Sequence, residues 1–265
     1  MPIHVHADTR HLNQDRFGKI AFTVMDHAFA VHDEMGRFFD EDIYRDVVAA
    51  RIDGEVQTEV MIEVVFEDFR RDYFMDMLVA GGALFELKVV KQLGAAHRAQ
   101  VLNYLLLCEV SHAKLINFRP KQVEHEFVNT HLKHADRIVF DVVDKNWVDP
   151  GPAERPLRPW LLSFLKDVGV GLDVHLYEAA VTHVFGGIEA VQHDIKILAA
   201  GRHLGRQRVR LASPGHAFKV TTIADTEVPY FEDHTRRFLR HADLRGVHWI
   251  NITRNVVRFQ TIVKE

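Results

Sequence analysis

The sequence predicts an α/β protein in which a mixed β-sheet flanked by helices occurs twice. Apolar residues recur at helical spacing from Phe17 to Val31, and short strand-like runs follow. Many residues of the second half match residues that lie 133 or 134 positions earlier, which indicates a tandem duplication. A proline-rich stretch separates the two halves. We therefore expect domains at 1–147 and 160–265, joined by a linker at 148–159.

The helices and strands follow in a similar order in both halves, with helices assigned from 3.6-residue periodicity and strands from short apolar runs bounded by turns. In the first half we expect helices at about 17–31, 41–52 and 95–109, and strands at 58–67, 71–79, 83–90, 113–118 and 123–129. In the second half we expect helices at 160–168, 173–185 and 228–242, and strands at 191–199, 206–212, 216–223, 247–252 and 255–262.

The linker prediction rests on proline density. Four of the eight prolines fall within residues 149–160. Proline lacks the backbone N–H that helices and central strands need, so such a segment favours an extended, semi-rigid connection.

Composition limits the class of protein. A net charge of −4 argues against a protein that coats nucleic acid through bulk electrostatics. Residues 1–134 carry 15 Lys and Arg against 21 Asp and Glu, and residues 135–265 carry 18 against 16. The first half therefore has a net negative charge and the second a net positive charge. No apolar run of 18 residues and no signal-peptide pattern occurs, so we expect a cytoplasmic protein without a membrane partner.

A predicted β-hairpin around Gly81 and Gly82 holds the most informative polar residues. Glu86 and Lys88 are two apart on one strand, so they point to the same face. Asp76 joins them only if the hairpin loop has an odd length, most simply Ala80-Gly81-Gly82. Two carboxylates and an ammonium would then converge, and hard divalent cations prefer carboxylate oxygens.

Two helices carry further polar pairs. Glu41 and Tyr44 are three apart and share one helix face, and Gln100 and Tyr104 are four apart on another. His97, one turn before Gln100, can either contact a phosphate or face water.

In this order the motifs resemble the GxxExxY family of the PD-(D/E)xK nuclease superfamily, from about Ile20 to Phe118. One position departs from the family pattern, because Phe38 stands where the family has its second glycine, whereas Gly36 keeps the first. The motifs that carry the resemblance are Glu41-x-x-Tyr44, Glu86-Leu-Lys88, Ala99-Gln-Val-Leu-Asn-Tyr-Leu105 and Leu115-Ile-Asn-Phe118.

The resemblance implies two restriction-endonuclease-like domains and metal-dependent hydrolysis of nucleic acid, with DNA as the expected substrate. It implies a Mg²⁺ or Mn²⁺ ion that is bound by Asp76 and Glu86 with help from Glu41. It also implies that Lys88 takes part in the hydrolysis. Catalytic roles are expected for Lys88, Glu41, Gln100 and Tyr104, and contacts to nucleic acid for Tyr44 and His97.

The second copy lacks the polar residues of the first. Residues that correspond to Glu41, Asp76, Glu86, Lys88, Gln100 and Tyr104 are Val174, Val209, Lys219, Thr221, His234 and Phe238. A metal could not be held there, so this copy is interpreted as a degenerate pseudo-domain, and the chain as an internal pseudo-dimer. Its arginines are either solvated or bind nucleic acid. If they bind nucleic acid, the candidates are Arg206, Arg208 and Arg210.

A different class of function stays open. A duplicated nuclease fold can persist as a catalytically vestigial module that binds nucleic acid or protein, because a fold alone does not determine a function.

Overall fold

A computed structural model describes residues 2–265. The chain forms two compact units, of which the first ends at His134 and the second begins at Ala135. Each unit contains one six-stranded mixed sheet flanked by helices, so the predicted α/β class is confirmed. Within the described residues, no helix is both long and apolar enough to cross a membrane.

The first unit has the sheet order β1-β2-β3-β4-β5-β6, and its neighbouring strands are antiparallel except for the parallel pair β4 and β5. Its elements are β1 (Ile3–Val5), α1 (Gln14–Met35), α2 (Glu41–Ala49), β2 (Val56–Phe66), β3 (Phe69–Val79), β4 (Ala83–Lys88), α3 (Ala95–Cys108), β5 (His112–Asn117) and β6 (Glu124–Asn129).

The second unit has the sheet order β7-β12-β11-β10-β9-β8. A short helix, α4 (His134–Arg137), lies at the division between the units, and a 3-10 helix (Asp225–Glu227) precedes the last α-helix. The other elements are β7 (Asp141–Lys145), α5 (Leu157–Val168), α6 (Val174–Val184), α7 (Ile188–Val191), β8 (Gln192–Ala199), β9 (Arg202–Ser213), β10 (His216–Thr221), α8 (Val228–His241), β11 (Gly246–Ile252) and β12 (Val256–Val263).

Five strands of each sheet share one topology. Strands β2 to β6 and strands β8 to β12 follow the same order, with a single parallel pair at the same place, β4 with β5 and β10 with β11. The sixth strand differs, because β1 pairs with β2 whereas β7 pairs with β12. The two units thus share the order and direction of five strands, where the sequence predicts a repeat.

The division between the units falls earlier than the predicted linker. Strand β7 pairs in parallel with β12, and the Val148 N–H donates to Thr261 Oγ1 at 2.9 Å, so the predicted boundary at 147 lies inside the second unit. The proline-rich stretch is a folded turn, because the Asp149 carboxylate accepts the N–H groups of Gly151, Leu157 and Arg158. The Asp149 carboxylate thus supplies acceptors for backbone N–H groups of the turn.

A buried tyrosine fixes the same loop in both units. The Tyr44 hydroxyl donates to the Gly36 carbonyl at 2.7 Å, and the Tyr177 hydroxyl donates to the Gly169 carbonyl at 3.0 Å. The N–H of the residue five before each tyrosine donates to the same hydroxyl, at 3.3 Å and 2.9 Å. Each tyrosine therefore holds the connection between the first two helices of the shared topology.

Removing either hydroxyl should destabilise the protein, because it leaves a carbonyl and an N–H without this partner, partly buried at Tyr44 and buried at Tyr177. We expect Tyr44→Phe and Tyr177→Phe to lower the free energy of unfolding by about 1–3 kcal/mol each, measured by urea denaturation. Tyr230→Phe is the matched control, since Tyr230 is 66% exposed. Equal unfolding midpoints for all three variants would contradict a structural role for the two hydroxyls.

Candidate active site

The turn between β3 and β4 sets the register on which the site depends. Val79 pairs with Ala83 and Met77 with Phe85, so the loop is the three-residue segment 80–82, as predicted. Ala80 and Gly81 have φ values of 49° and 65°, in the left-handed region. An odd loop of this kind places Asp76 opposite Glu86.

The N-terminal segment packs against this turn. The Arg10 N–H donates to the Gly81 carbonyl at 2.7 Å. A Cβ atom on Gly82 would lie 2.3 Å from the Arg10 carbonyl oxygen, which is far inside van der Waals contact. Gly82 is therefore required by the close approach of two backbone segments, and the hairpin that carries the site is held from outside.

Asp76 and Glu86 lie across the β3–β4 pair. The Asp76 Oδ2 atom accepts the Leu87 N–H at 2.7 Å, and the Asp76 N–H lies 3.5 Å from Glu86 Oε2. At this position, hydrogen bonds from backbone N–H groups to the two carboxylates take the place of backbone hydrogen bonds between β3 and β4. Both carboxylates are thereby fixed by backbone groups of the opposite strand.

Lys88 lies among three carboxylates. Its Nζ atom is 2.8 Å from Glu86 Oε1, 3.0 Å from Glu41 Oε1 and 4.0 Å from Asp76 Oδ2. The side chain of Glu41 is 37% exposed, whereas those of Asp76, Lys88 and Glu86 are 14%, 11% and 2% exposed. The cluster therefore opens to solvent on the side of Glu41, where α2 begins.

Burial controls the protonation of this cluster. Burial, and then the charge of Asp76, raise the pKa of Glu86 to about 8. Burial also raises the pKa of Asp76, although Lys88 and the Leu87 N–H oppose this. The pKa of Lys88 is raised, because its attraction to Glu86, Asp76 and Glu41 outweighs the opposing effect of burial. Near neutral pH Lys88 is an ammonium ion, and the carboxyl of Glu86 holds a proton.

Gln100 and Tyr104 meet as their spacing on α3 predicts. The Gln100 amide nitrogen donates to the Tyr104 hydroxyl at 3.0 Å, and the ring of Tyr104 lies edge-on to Tyr73. Burial and the nearby charge of Glu86 raise the pKa of Tyr104, so this phenol stays neutral. The pair lies close enough to Glu86 for its charge to act on the phenol.

Two residues predicted to contact nucleic acid also have structural roles in the fold. Tyr44 is fully buried and stacks on Phe118 with ring centroids 4.4 Å apart, so its side chain does not reach a substrate. The Nδ1 atom of His97 accepts the Gly94 N–H at 3.0 Å and closes the first turn of α3. Spacing along a helix predicts which residues share a face of that helix. It does not predict how deeply each side chain is buried.

The arginines predicted to bind nucleic acid lie on β9 in the second unit. Arg206 and Arg208 are exposed, and Arg208 forms an ion pair with Asp194 at 3.3 Å. Arg210 forms an ion pair with Glu178 of α6. Both of these ion pairs lie within the second unit.

The sequence reasoning missed three residues beside the cluster. A cleft of about 680 Å³ includes Glu41 and Asp76 together with Arg45, Phe38 and Arg119. Phe38 is 74% exposed, and the Arg119 guanidinium lies 5.5 Å from its ring centroid. The exchange of a family glycine for Phe38 was the signal that could have identified this part of the cleft.

The second unit has no comparable cluster. The pairing of β9 with β10 is limited to His216 with Ser213 and Ala217 with Leu211. At the position of Lys88, the Thr221 hydroxyl donates to Asn251 Oδ1 and accepts the Trp249 indole N–H, both at 2.8 Å. A neutral hydrogen-bond network thus replaces the buried lysine of the first unit.

The first unit contains residue types that could bind a metal ion, but their side chains are not arranged around a common metal position. Across residues 2–265, no group of three or more His, Cys, Asp or Glu side chains is arranged to hold an ion. Asp76, Glu86 and Glu41 instead surround the Lys88 ammonium, within 4.0 Å of its nitrogen. Carboxylate oxygens are the donors that Mg²⁺ and Mn²⁺ prefer, so the residue types fit such an ion.

Comparison with known proteins identifies a nuclease-type stretch. Residues 18–130 match the profile of the PD-(D/E)XK nuclease superfamily. This stretch is less than half of the chain, lies in the first unit and contains the whole cluster around Lys88. A domain of this superfamily suggests metal-dependent nuclease activity and a nucleic-acid substrate.

Other comparisons are weaker. A solved structure named "Crystal structure of SSO0001" is 16% identical, with a TM-score of 0.30, and the match covers 48% of this chain and 70% of that one. No curated protein matches the chain.

Proposed function

We propose that the first unit hydrolyses phosphodiester bonds of nucleic acid, with DNA as the principal substrate and Mg²⁺ or Mn²⁺ as cofactor. The observation that supports this most is the position of Lys88 within 4.0 Å of three carboxylates, on a hairpin inside the stretch that matches the nuclease superfamily. Asp76 and Glu86 would hold the metal, and Glu41 would assist them from the open side.

Charge balance favours a divalent cation. With Asp76, Glu86 and Glu41 all ionised, the single ammonium of Lys88 leaves two uncompensated negative charges in a partly buried site. Like charges repel strongly where water is scarce, and here burial, together with the repulsion by Asp76, raises the pKa of Glu86. When bound, the cation would offset this repulsion, polarise the scissile phosphate and lower the pKa of a water molecule.

The protein's own groups would position the phosphate. Lys88 remains an ammonium ion, so it donates N–H bonds and stabilises negative charge that develops on phosphate oxygens. It would not act as a base in this protonation state. Gln100 holds the neutral phenol of Tyr104 in place beside Glu86. We assign Lys88 and Glu41 to the hydrolysis itself. Gln100 and Tyr104 are assigned to the wall of the site.

We further propose that the two units arose by tandem duplication and that the second is degenerate. The shared five-strand topology and the tyrosine-to-glycine hydrogen bond at an interval of 133 residues support this. Val209 and Lys219 replace Asp76 and Glu86, so the second unit lacks the metal donors. One chain would then carry one active centre and nick a duplex before both strands break.

A cleavage assay tests the proposed function. Purified protein is incubated with labelled single- and double-stranded DNA and RNA, with Mg²⁺, with Mn²⁺ or with EDTA. We expect cleavage of DNA with metal and none with EDTA. Absence of cleavage of all four substrates with either metal would overturn the proposal, and retained binding in that case would favour the vestigial module.

Metal binding should release a proton. Because the pKa of Glu86 is raised from its ordinary 4.5 to about 8, its carboxyl is protonated near pH 7, whereas a metal ligand must be deprotonated. The metal affinity should therefore rise as the pH increases towards about 8 and then level off. Calorimetry at pH 7 in two buffers of different ionisation enthalpy measures this proton, and Glu86→Gln should abolish its release. A binding enthalpy that is independent of the buffer would contradict the prediction.

A further inference from the structure

The second unit contains a cavity at the place that corresponds to the active site of the first. The cavity measures about 670 Å³ and lies where β9, β10 and α8 meet. Four of its lining residues, Val209, Lys219, His234 and Phe238, lie 133 or 134 positions after Asp76, Glu86, Gln100 and Tyr104. The site has thus lost its metal donors and retained an accessible space.

The lining of this cavity is basic. Lys219 takes the place of a buried carboxylate, is exposed, and has no ion-pair or side-chain hydrogen-bond partner among residues 2–265. Arg210 also contributes to the lining, as does Arg208, whose ion-pair partner Asp194 lies outside the lining. Within the described chain, Glu178 is the one acidic residue of the lining, and Arg210 already forms an ion pair with it. The cavity therefore repels a metal ion and attracts an anion.

Aromatic rings form the rest of the wall. Phe231 and Phe238 of α8 and Phe218 of β10 line the cavity. Phe231 stacks on the buried Trp249 with ring centroids 4.3 Å apart, and Phe218 lies 5.2 Å from Phe185. Phe218 is buried, whereas Phe231 is partly exposed and held by Trp249 behind it, so Phe231 offers supported apolar surface to a flat ligand.

We propose that this cavity binds a nucleotide, with its phosphate against Lys219 and Arg208 and its base against Phe231 and Phe238. A basic group beside aromatic rings matches the two chemical parts of a nucleotide. The volume lies within the range of small-molecule sites. The nucleotide comes either from solution or from a nucleic-acid strand. Binding here needs neither metal nor cleavage, so it stands apart from the proposed nuclease activity.

The first experiment measures binding of dAMP by titration of tryptophan fluorescence in EDTA, in a Lys88→Met background that removes the ammonium ion of the cluster in the first unit. Trp249 supports Phe231 from behind, so a ligand against that ring should change the emission. We expect saturable binding. Absence of binding by both dAMP and a short single-stranded oligo(dT) would overturn the proposal.

Two variants test the assigned contacts. Lys219→Met should weaken dAMP binding about tenfold or more, because a charged contact to phosphate is lost. Lys196→Met is the matched control, since this exposed lysine lies on β8 outside the cavity lining. Phe238→Leu keeps apolar bulk but removes a ring, and should weaken dAMP binding about fivefold or more. Equal affinities of Lys219→Met and Lys196→Met, with circular dichroism unchanged, would overturn the site.

Two competitors identify the ligand. If inorganic phosphate displaces dAMP at equal concentrations, the rings contribute nothing and the assignment to a nucleotide is wrong. If oligo(dT) competes more strongly than dAMP and depends on Lys219, the cavity holds one nucleotide of a strand. If dAMP binds and oligo(dT) does not compete, the ligand is a free nucleotide. Both of these last results support the proposal.

Discussion

Lys88→Met is expected to lower metal-dependent cleavage by about 10²–10³-fold or more, because it removes the ammonium ion that lies within 4.0 Å of Asp76, Glu86 and Glu41. Asp76→Asn should reduce cleavage at least as strongly, because it removes the charge of a proposed metal donor whose position is fixed by the Leu87 N–H. Initial rates on labelled DNA at saturating Mn²⁺ measure both effects.

Both variants should remain folded. Loss of the ammonium leaves the carboxylates without their partner, but Glu86, the most buried of them, is already neutral near pH 7, because its pKa is raised to about 8. Lys114→Met is the matched control, since Lys114 is a buried lysine of the neighbouring strand β5 whose ammonium lies 3.6 Å from the Phe127 ring centroid. Undiminished cleavage by folded Lys88→Met and Asp76→Asn would assign the activity to another site or to a contaminant.

Gly82→Ala should destabilise the protein by about 3 kcal/mol. The new Cβ would lie 2.3 Å from the Arg10 carbonyl oxygen and 2.7 Å from Leu12 Cγ, so the N-terminal segment must move away from the hairpin. That segment contributes Leu12 to the core of the first unit. Urea denaturation measures the loss, and faster tryptic cleavage after Arg10 would report the displaced segment.

A second glycine provides the control for this prediction. Gly18 lies in α1, where a Cβ atom would meet no neighbouring atom within 4 Å, and alanine favours a helix more than glycine does. Gly18→Ala should therefore leave stability unchanged or raise it slightly. Equal unfolding midpoints for Gly82→Ala and Gly18→Ala would show that the approach of Arg10 to the turn is not a constraint.

The sequence predicted the parts of the site that depend on local periodicity. Alternation along a strand placed Glu86 and Lys88 on one face, and the odd loop brought Asp76 opposite them. The four-residue spacing of Gln100 and Tyr104 likewise became a hydrogen bond. In each case the relevant geometry is set by neighbours within one element or one hairpin, which the order of residues determines.

The sequence did not predict how deeply each side chain is buried or which residues of different elements are in contact. Glu41 and Tyr44 share one helix, yet Glu41 opens to solvent whereas Tyr44 is buried beneath Phe118. The protonation of Glu86 and Lys88 follows from burial, which no spacing reveals. Strands β1 and β7 were missed because three and five residues are too few for a periodic pattern.

Strand β7 determines how the second unit could be produced alone. It comes before the proline-rich turn, yet its residues 141–145 cover the edge of β12 from Val256 to Gln260. A fragment that starts at residue 160 would expose the backbone N–H and C=O groups of that edge, and an uncovered edge strand is a template for self-association. A fragment that starts at residue 135 keeps the edge covered and is the one expected to remain monodisperse in solution.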